Sequence, residues 1–145
     1  MSETPSNNSG NLERLKGSCH CGTVQFEADL DLSAPMSRCN CSVCMKMGGT
    51  TTQVPPKSLQ LLAGEEHLGD YRVGDSPNFR KFCKRCGVQC FGGGFVQALG
   101  GEFATVNVGC MEGVDVALHS IQYWDGYNNN WAAGTRPQPW PRQHA

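Results

Sequence analysis

The chain has 145 residues, of which 39% are hydrophobic and 17% are charged, and its formal net charge is −1. This length suits one domain, and the near-neutral charge argues against nucleic acid or an anionic membrane surface as a partner. The first ten residues lack the basic and apolar regions of a secretion signal, and no later stretch resembles a membrane span. We therefore expect a cytoplasmic protein that binds small molecules, neither nucleic acid nor membrane, in an oligomeric state that the sequence leaves open.

Frequent glycine and proline residues, 18 and 8 respectively, favour many short strands over long helices. We predict an all-β fold with short helical turns, forming a single zinc-binding domain over residues 15–136. Residues 1–14 are predicted to be a disordered N-terminal tail. Residues 137–145 are predicted to be an irregular C-terminal tail.

Strands are predicted over residues 15–21, 23–30, 50–54, 59–62, 68–73, 88–91, 103–108 and 119–124. The second of these shows the alternation of a half-buried strand, with Val24 and Phe26 on the apolar face. Residues 42–47 predict a short helical turn that ends at two glycines. The triple glycine at 92–94 lacks the lysine and helix of a phosphate loop, so we assign it no nucleotide role.

Nine cysteines dominate the chemistry of the chain, and seven of them fall into three clusters. The clusters are Cys19 with Cys21, then Cys39, Cys41 and Cys44, and finally Cys83 with Cys86. The odd count, the CxC spacing and the reducing compartment favour metal ligation over disulfides. The first and last pairs together supply four thiolates, the ligand set of a closed structural Zn²⁺ site. Nearby cations offset the charge of that site, namely Arg80, Lys81, Lys84 and Arg85.

The middle cluster has three thiolates, and three interpretations of it stay open. It is an open catalytic zinc site, a second structural site completed by Cys90, Cys110 or His20, or a redox switch. We favour the open site, because catalytic zinc keeps one position for water or substrate. Cys90 and Cys110 otherwise suit buried structural thiols.

Three motifs together resemble the glutathione-dependent formaldehyde-activating enzyme family, which includes the centromere protein V-like domains. They are Gly-Ser-Cys-His-Cys-Gly at 17–22, Cys-Asn-Cys-Ser-Val-Cys at 39–44 and Phe-Cys-Lys-Arg-Cys-Gly at 82–87. The resemblance implies a β-tent fold with two Zn²⁺ per chain, one structural and one catalytic. It assigns Cys19, Cys21, Cys83 and Cys86 to the structural metal and Cys39, Cys41 and Cys44 to the catalytic one. The chain departs from the family at Asn40, where histidine is common, and at Met45-Lys46-Met47, where basic residues are usual.

The activity that the resemblance implies is that of a carbon–sulfur lyase similar to S-(hydroxymethyl)glutathione synthase. Its substrates are glutathione or a related thiol and formaldehyde or a similar small carbonyl. Asn40, Lys46 or backbone amides are candidate donors to the developing alkoxide. The alternative is a non-catalytic interaction module with two structural zinc sites.

Overall fold

The computed structural model describes residues 11–97 and 100–142, and strands dominate them. The strands are β1 Leu12–Ser18, β2 Gln25–Asp31, β3 Met36–Cys39, β4 Thr51–Val54, β5 Gln60–Ala63, β6 Leu68–Tyr71, β7 Phe79–Cys83, β8 Gln89–Val96, β9 Gly101–Asn107 and β10 Ile121–Trp124. One α-helix, α1, spans Ser42–Met47. Short 3-10 turns cover Pro56–Ser58, Glu65–His67, Val108–Cys110, Val116–Leu118 and Trp131–Ala133. The all-β prediction is confirmed, while the more specific β-tent assignment stays a prediction.

The strands form two sheets of unequal size. The smaller has the order β1-β2-β5, and the larger has the order β10-β3-β4-β9-β8-β7-β6. All pairings are antiparallel except that of β10 with β3. The parallel pair brings the late segment of the chain beside the end of β3, where the middle cysteine cluster begins.

The core joins β2 of the small sheet to the inner face of the large sheet. Phe26 of β2 is fully buried, and its ring centroid lies 5.1 Å from that of Phe91 in β8. Ala104 and Val106 of β9 are also buried, whereas Phe103 and Thr105 alternate with them and line a cavity. Because successive side chains of a strand point to opposite faces, the large sheet has one face for the core and one for a site.

Several predicted boundaries need correction. Strand β1 begins at Leu12, so residues 12–14 of the predicted tail belong to the sheet, where Arg14 pairs with Glu27 and Asp29 of β2. Strands β3 and β7 were not predicted, because neither shows a regular apolar alternation. Residues 1–10 and 143–145 of the predicted tails lie outside the described residues.

Strand β8 continues through the triple glycine, where the sequence predicts that the strand ends at residue 91. A Cβ atom on Gly92 would lie 2.6 Å from the carbonyl oxygen of Phe79, and one on Gly93 would lie 2.6 Å from that of Phe103. The glycines therefore permit close packing within a continuous strand.

Within the described residues, no helix has the length and apolarity needed to cross a membrane.

Candidate metal centres

Four thiols of the first and last cysteine pairs meet where the two sheets join. Cys19 and Cys21 lie in the turn between β1 and β2, and Cys83 and Cys86 lie at the turn between β7 and β8. Their Sγ atoms are all within 4.8 Å of one another. The predicted grouping is therefore present in space, and a metal held there would join the small sheet to the large one.

Backbone and side-chain groups form hydrogen bonds with the sulfurs of this cluster. The amide of Val24 donates to Cys19 Sγ at 3.2 Å, and the amide of Arg85 donates to Cys83 Sγ at 3.3 Å. The hydroxyl of Thr23 lies 3.1 Å from Cys21 Sγ, and its hydrogen bond lowers the pKa of Cys21 to about 6. Burial raises the pKa of Cys19 to about 11, so a metal must displace the proton of that thiol before all four sulfurs can bind it.

The middle cluster forms at the junction of β3 and α1. Cys39 ends β3, and Cys41 is the N-cap of α1, where its Sγ accepts a hydrogen bond from the amide of Cys44 at 3.4 Å. The predicted helical turn is thus observed. The three Sγ atoms lie within 4.8 Å of one another. We call these three residues the cysteine triad.

Among residues 11–97 and 100–142, no fourth His, Cys, Asp or Glu joins the triad. Cys90 and Cys110 instead lie against each other, and they donate to the carbonyl oxygens of Val88 and Gln89. His20 is exposed in the turn that carries the first cluster. The three residues considered as a completing ligand are therefore not brought to the triad.

The protonation of the triad is uneven. Hydrogen bonds from Cys39 and then Cys44 lower the pKa of Cys41 to about 2, and the charge of Arg80 acts in the same direction. The hydrogen bond to Cys41 in turn raises the pKa of Cys39. One thiolate is stable in this arrangement, so a cation must displace the remaining protons before it can bind all three sulfurs.

A cavity of about 220 Å³ opens beside the triad, on the outer face of the large sheet. All three cysteines line it, together with hydroxyl, amide and aromatic side chains from several elements. Its walls include Thr51, Gln53, Phe79, Phe103, Trp124 and Trp131. The rings of Trp124 and Trp131 contact each other with centroids 5.7 Å apart. This surface combines apolar walls with a few polar groups, as small-molecule sites do.

The loop after β10 closes over the triad at very short range. A Cβ atom on Gly126 would lie 2.6 Å from Cys39 Sγ and 2.9 Å from the Trp131 ring. Only glycine lets the backbone pass between these two groups without displacing one of them. The loop thereby fixes one side of the triad.

A buried amide holds that loop to the triad. Asn40 is 8% exposed, and its Nδ2 donates to Asp125 Oδ1 at 2.9 Å and to the carbonyl oxygen of Trp140 at 3.2 Å. Its Oδ1 accepts from the amide of Tyr127 at 2.9 Å. These three hydrogen bonds occupy both the nitrogen and the oxygen of the side-chain amide. The sequence suggested Asn40 as a donor to substrate, and this arrangement excludes that role. It positions the loop instead.

Asp125 is the charged member of this network. Burial opposes ionisation, but hydrogen bonds from Asn40, Asn128 and Asn130 outweigh it and lower the pKa of Asp125. The carboxylate therefore stays ionised and binds three amides at once. The predicted irregular tail is part of this structure up to Arg142, because Trp140 Nε1 donates to the carbonyl oxygen of Tyr123 at 2.8 Å.

Two of the four cations predicted beside the four-cysteine cluster have side-chain contacts elsewhere, whereas Lys84 and Arg85 lie in the turn that carries Cys83 and Cys86. Arg80, expected beside the four-cysteine cluster, has its Nη2 3.9 Å from Cys44 Sγ and lines the cavity. Lys81 pairs with Asp70 at 3.4 Å. Lys46, a candidate alkoxide donor, is exposed and does not line the cavity, whereas Arg38 does. The sequence did not indicate that Arg38 lines a site, because its position beside the cavity depends on strand pairing across the large sheet.

Comparison with known proteins gives results consistent with these motifs. Residues 14–125 match a family model described as glutathione-dependent formaldehyde-activating enzyme. A Halomonas elongata protein named "Putative glutathione-dependent formaldehyde-activating enzyme" is 38% identical over 80 residues, which are 50% of this chain and 51% of that protein. The chain thus spans about half the length of this curated relative. A crystal structure of a Rhodobacter sphaeroides protein has a TM-score of 0.65 and 31% identity, covering 75% of this chain and 99% of that one.

Proposed function

The chain belongs to the glutathione-dependent formaldehyde-activating enzyme family, and from this we propose that it is a zinc-dependent carbon–sulfur lyase. Its substrates are glutathione or a related thiol and formaldehyde or a similar small carbonyl. The observation that carries the proposal is the cysteine triad, three thiols within 4.8 Å that all line one cavity.

The ligand chemistry of the two clusters suits two Zn²⁺ ions with different roles. We assign the structural ion to Cys19, Cys21, Cys83 and Cys86 and the catalytic ion to Cys39, Cys41 and Cys44. Thiolates are soft ligands that favour zinc over magnesium or calcium. When bound by three thiolates, Zn²⁺ offers a further position at which a substrate thiol ionises more readily than it does in water.

The reaction forms one bond and moves one proton. The thiol sulfur bonds to the carbonyl carbon, the carbon–oxygen double bond becomes single, and the thiol proton ends on the new hydroxyl group. The reverse direction breaks the carbon–sulfur bond and restores both substrates. No oxidant or reductant enters, which fits a site whose sulfurs are all thiols.

Arg80 is the residue best placed to stabilise charge during this reaction. Its guanidinium lies 3.9 Å from Cys44 Sγ, so its positive charge offsets the negative charge of the thiolates. The same group faces the cavity and offers donors to an oxygen that becomes negative as the carbon–sulfur bond forms. We therefore assign Arg80 the donor role for which the sequence suggested Asn40 or Lys46.

The aromatic walls have a complementary role. The cavity beside the triad has apolar walls formed by Trp124, Trp131 and Phe103, and these walls limit the contact of the triad with water. A drier site strengthens the attraction between the Arg80 guanidinium and a developing anion. A cytoplasmic location, where thiols stay reduced, is part of the same proposal.

Cobalt substitution tests the proposal directly. In protein with Co²⁺ at the triad, glutathione should strengthen the thiolate-to-cobalt charge-transfer band, and S-methylglutathione should leave it unchanged. Binding should also release a proton, because a thiol with a pKa near 8.5 ionises as it binds. Exchange between glutathione, ¹³C-formaldehyde and their adduct, followed by NMR, should be faster with zinc protein than in buffer alone.

Cys110→Ser is the matched control, since Cys110 belongs to neither thiol cluster of the described residues. It should keep both the spectral response and the accelerated exchange. A spectrum indifferent to glutathione, with no acceleration of exchange, would favour the non-catalytic zinc module.

A further inference from the structure

Two arginines line the cavity beside the triad. Arg38 and Arg80 both line it, and no aspartate or glutamate does. Within the described part of the chain, neither arginine has a carboxylate oxygen within 4.0 Å, whereas Arg14 and Arg72 do. Arg80 lies beside the sulfurs of the triad, so Arg38 is the arginine of this cavity whose charge is left to attract an anionic ligand.

The two arginines differ in how they are held. Arg80 lies against Cys44 Sγ, so its charge is directed at the triad. Arg38 has its Nε 2.9 Å from the hydroxyl oxygen of Thr50, which is buried. This is the one hydrogen bond of the Arg38 side chain to a described residue, and it leaves both terminal nitrogens available.

A guanidinium anchored through Nε presents its two terminal N–H groups as a fixed fork. That geometry matches the two oxygens of a carboxylate and gives a bidentate, charge-assisted pair. Arg38 is an exposed residue that precedes Cys39 at the end of β3, and both residues line the same cavity. A thiol that also carries a carboxylate has one group suited to each of these two partners.

Resting on the proposed function, we propose that Arg38 is a specificity-determining residue that binds a carboxylate of the thiol substrate. The substrate class is then the carboxylate-bearing thiols, of which glutathione is one. Uncharged thiols of similar size are poor ligands. Thr50 acts as a positioning residue, because it orients the guanidinium without touching the ligand.

The experiment compares two ligands that differ only in this charge, 3-mercaptopropionate and its methyl ester. Isothermal titration calorimetry on the zinc-loaded full chain measures the affinity of each. The acid should bind about 10- to 100-fold more tightly than the ester, the range expected for a charge-assisted hydrogen-bonded pair. The Arg38→Gln substitution should lower the affinity for the acid by that factor and leave the affinity for the ester unchanged.

Two further variants sharpen the result. Thr50→Val keeps the charge of Arg38 but removes its anchor, and it should reduce the preference for the acid several-fold. Lys46→Gln is the matched control: it removes one exposed cation from α1 that does not line the cavity, so the preference should persist. Circular dichroism and zinc content check that each variant is folded and loaded.

The possible outcomes separate this inference from the proposed function. Equal affinity of the wild-type protein for acid and ester would overturn carboxylate recognition while leaving thiol binding intact. The specific role of Arg38 would also be overturned if Arg38→Gln lowered the affinities for acid and ester equally. The same conclusion would follow if Lys46→Gln abolished the preference for the acid over the ester. Failure of both ligands to bind would refute thiol binding and this inference together.

Discussion

Replacing Asn40 with alanine should destabilise the protein without removing any metal ligand. The truncation deletes two donated hydrogen bonds and one accepted bond, all within 2.9–3.2 Å, from a side chain that is 8% exposed. A typical buried hydrogen bond contributes about 0.5–1.5 kcal/mol and one to a charged group contributes more, so the expected loss is about 3 kcal/mol. For a domain of this size, that loss lowers Tm by about 6–12 °C.

Thermal unfolding of the zinc-loaded protein, followed by circular dichroism, measures this change. Metal analysis of the same sample should find the zinc content of the wild-type protein, because Asn40 supplies hydrogen bonds and no ligand. The matched control is Asn130→Ala, which removes a longer bond of 3.3 Å to Asp125 and should lower Tm much less. A Tm for Asn40→Ala within about 2 °C of wild type would refute the role of this side chain in holding the loop.

The two cysteine clusters should respond oppositely to loss of one ligand. Cys83→Ser should unfold or aggregate the protein, because structural zinc contributes on the order of 10 kcal/mol or more, comparable with the whole stability of a domain. A soluble Cys83→Ser protein with unchanged cooperative melting would contradict the structural assignment. Cys44→Ser should keep the fold by circular dichroism, lower bound zinc from about two ions towards one, and abolish exchange of the thiol adduct. Loss of both ions and of all structure in Cys44→Ser would show that the triad is structural.

The sequence predicted features whose signals are local. Thiols two or three residues apart at a turn reach a common point without help from distant parts of the chain. The pair Cys83 and Cys86 and the triad were both recognisable on that basis, and the structure brings each set together. Strand β9 was recognisable because its alternation, with Ala104 inward and Thr105 outward, reflects one buried face.

Features that depend on distant contacts were misplaced. Arg80 lies close to Cys83 in sequence, yet its guanidinium is directed at Cys44, 36 residues away. Strand β8 continues through its glycines because neighbouring strands occupy the space of a side chain, and propensity alone predicts a break there. The role of Asn40 was also hidden, because its partners lie 85 or more residues further along the chain.

The proposed function gives the two cysteine clusters different roles, and the reason is their different positions in the fold. The four-cysteine cluster lies between two turns, one from each sheet, and its four thiols match the ligand set of a closed zinc site, so a metal bound there would resist exchange and stabilise the fold. The triad lies at the end of β3, where the loop around Gly126 covers one side and a cavity occupies another. The described residues supply no fourth ligand to the triad, and under the proposed function a substrate thiol in the cavity would complete the coordination of a metal there. Under the same proposal, the charges of Arg38 and Arg80 select the molecule that binds there, so substrate specificity would come from the walls of the cavity and not from the cysteines alone.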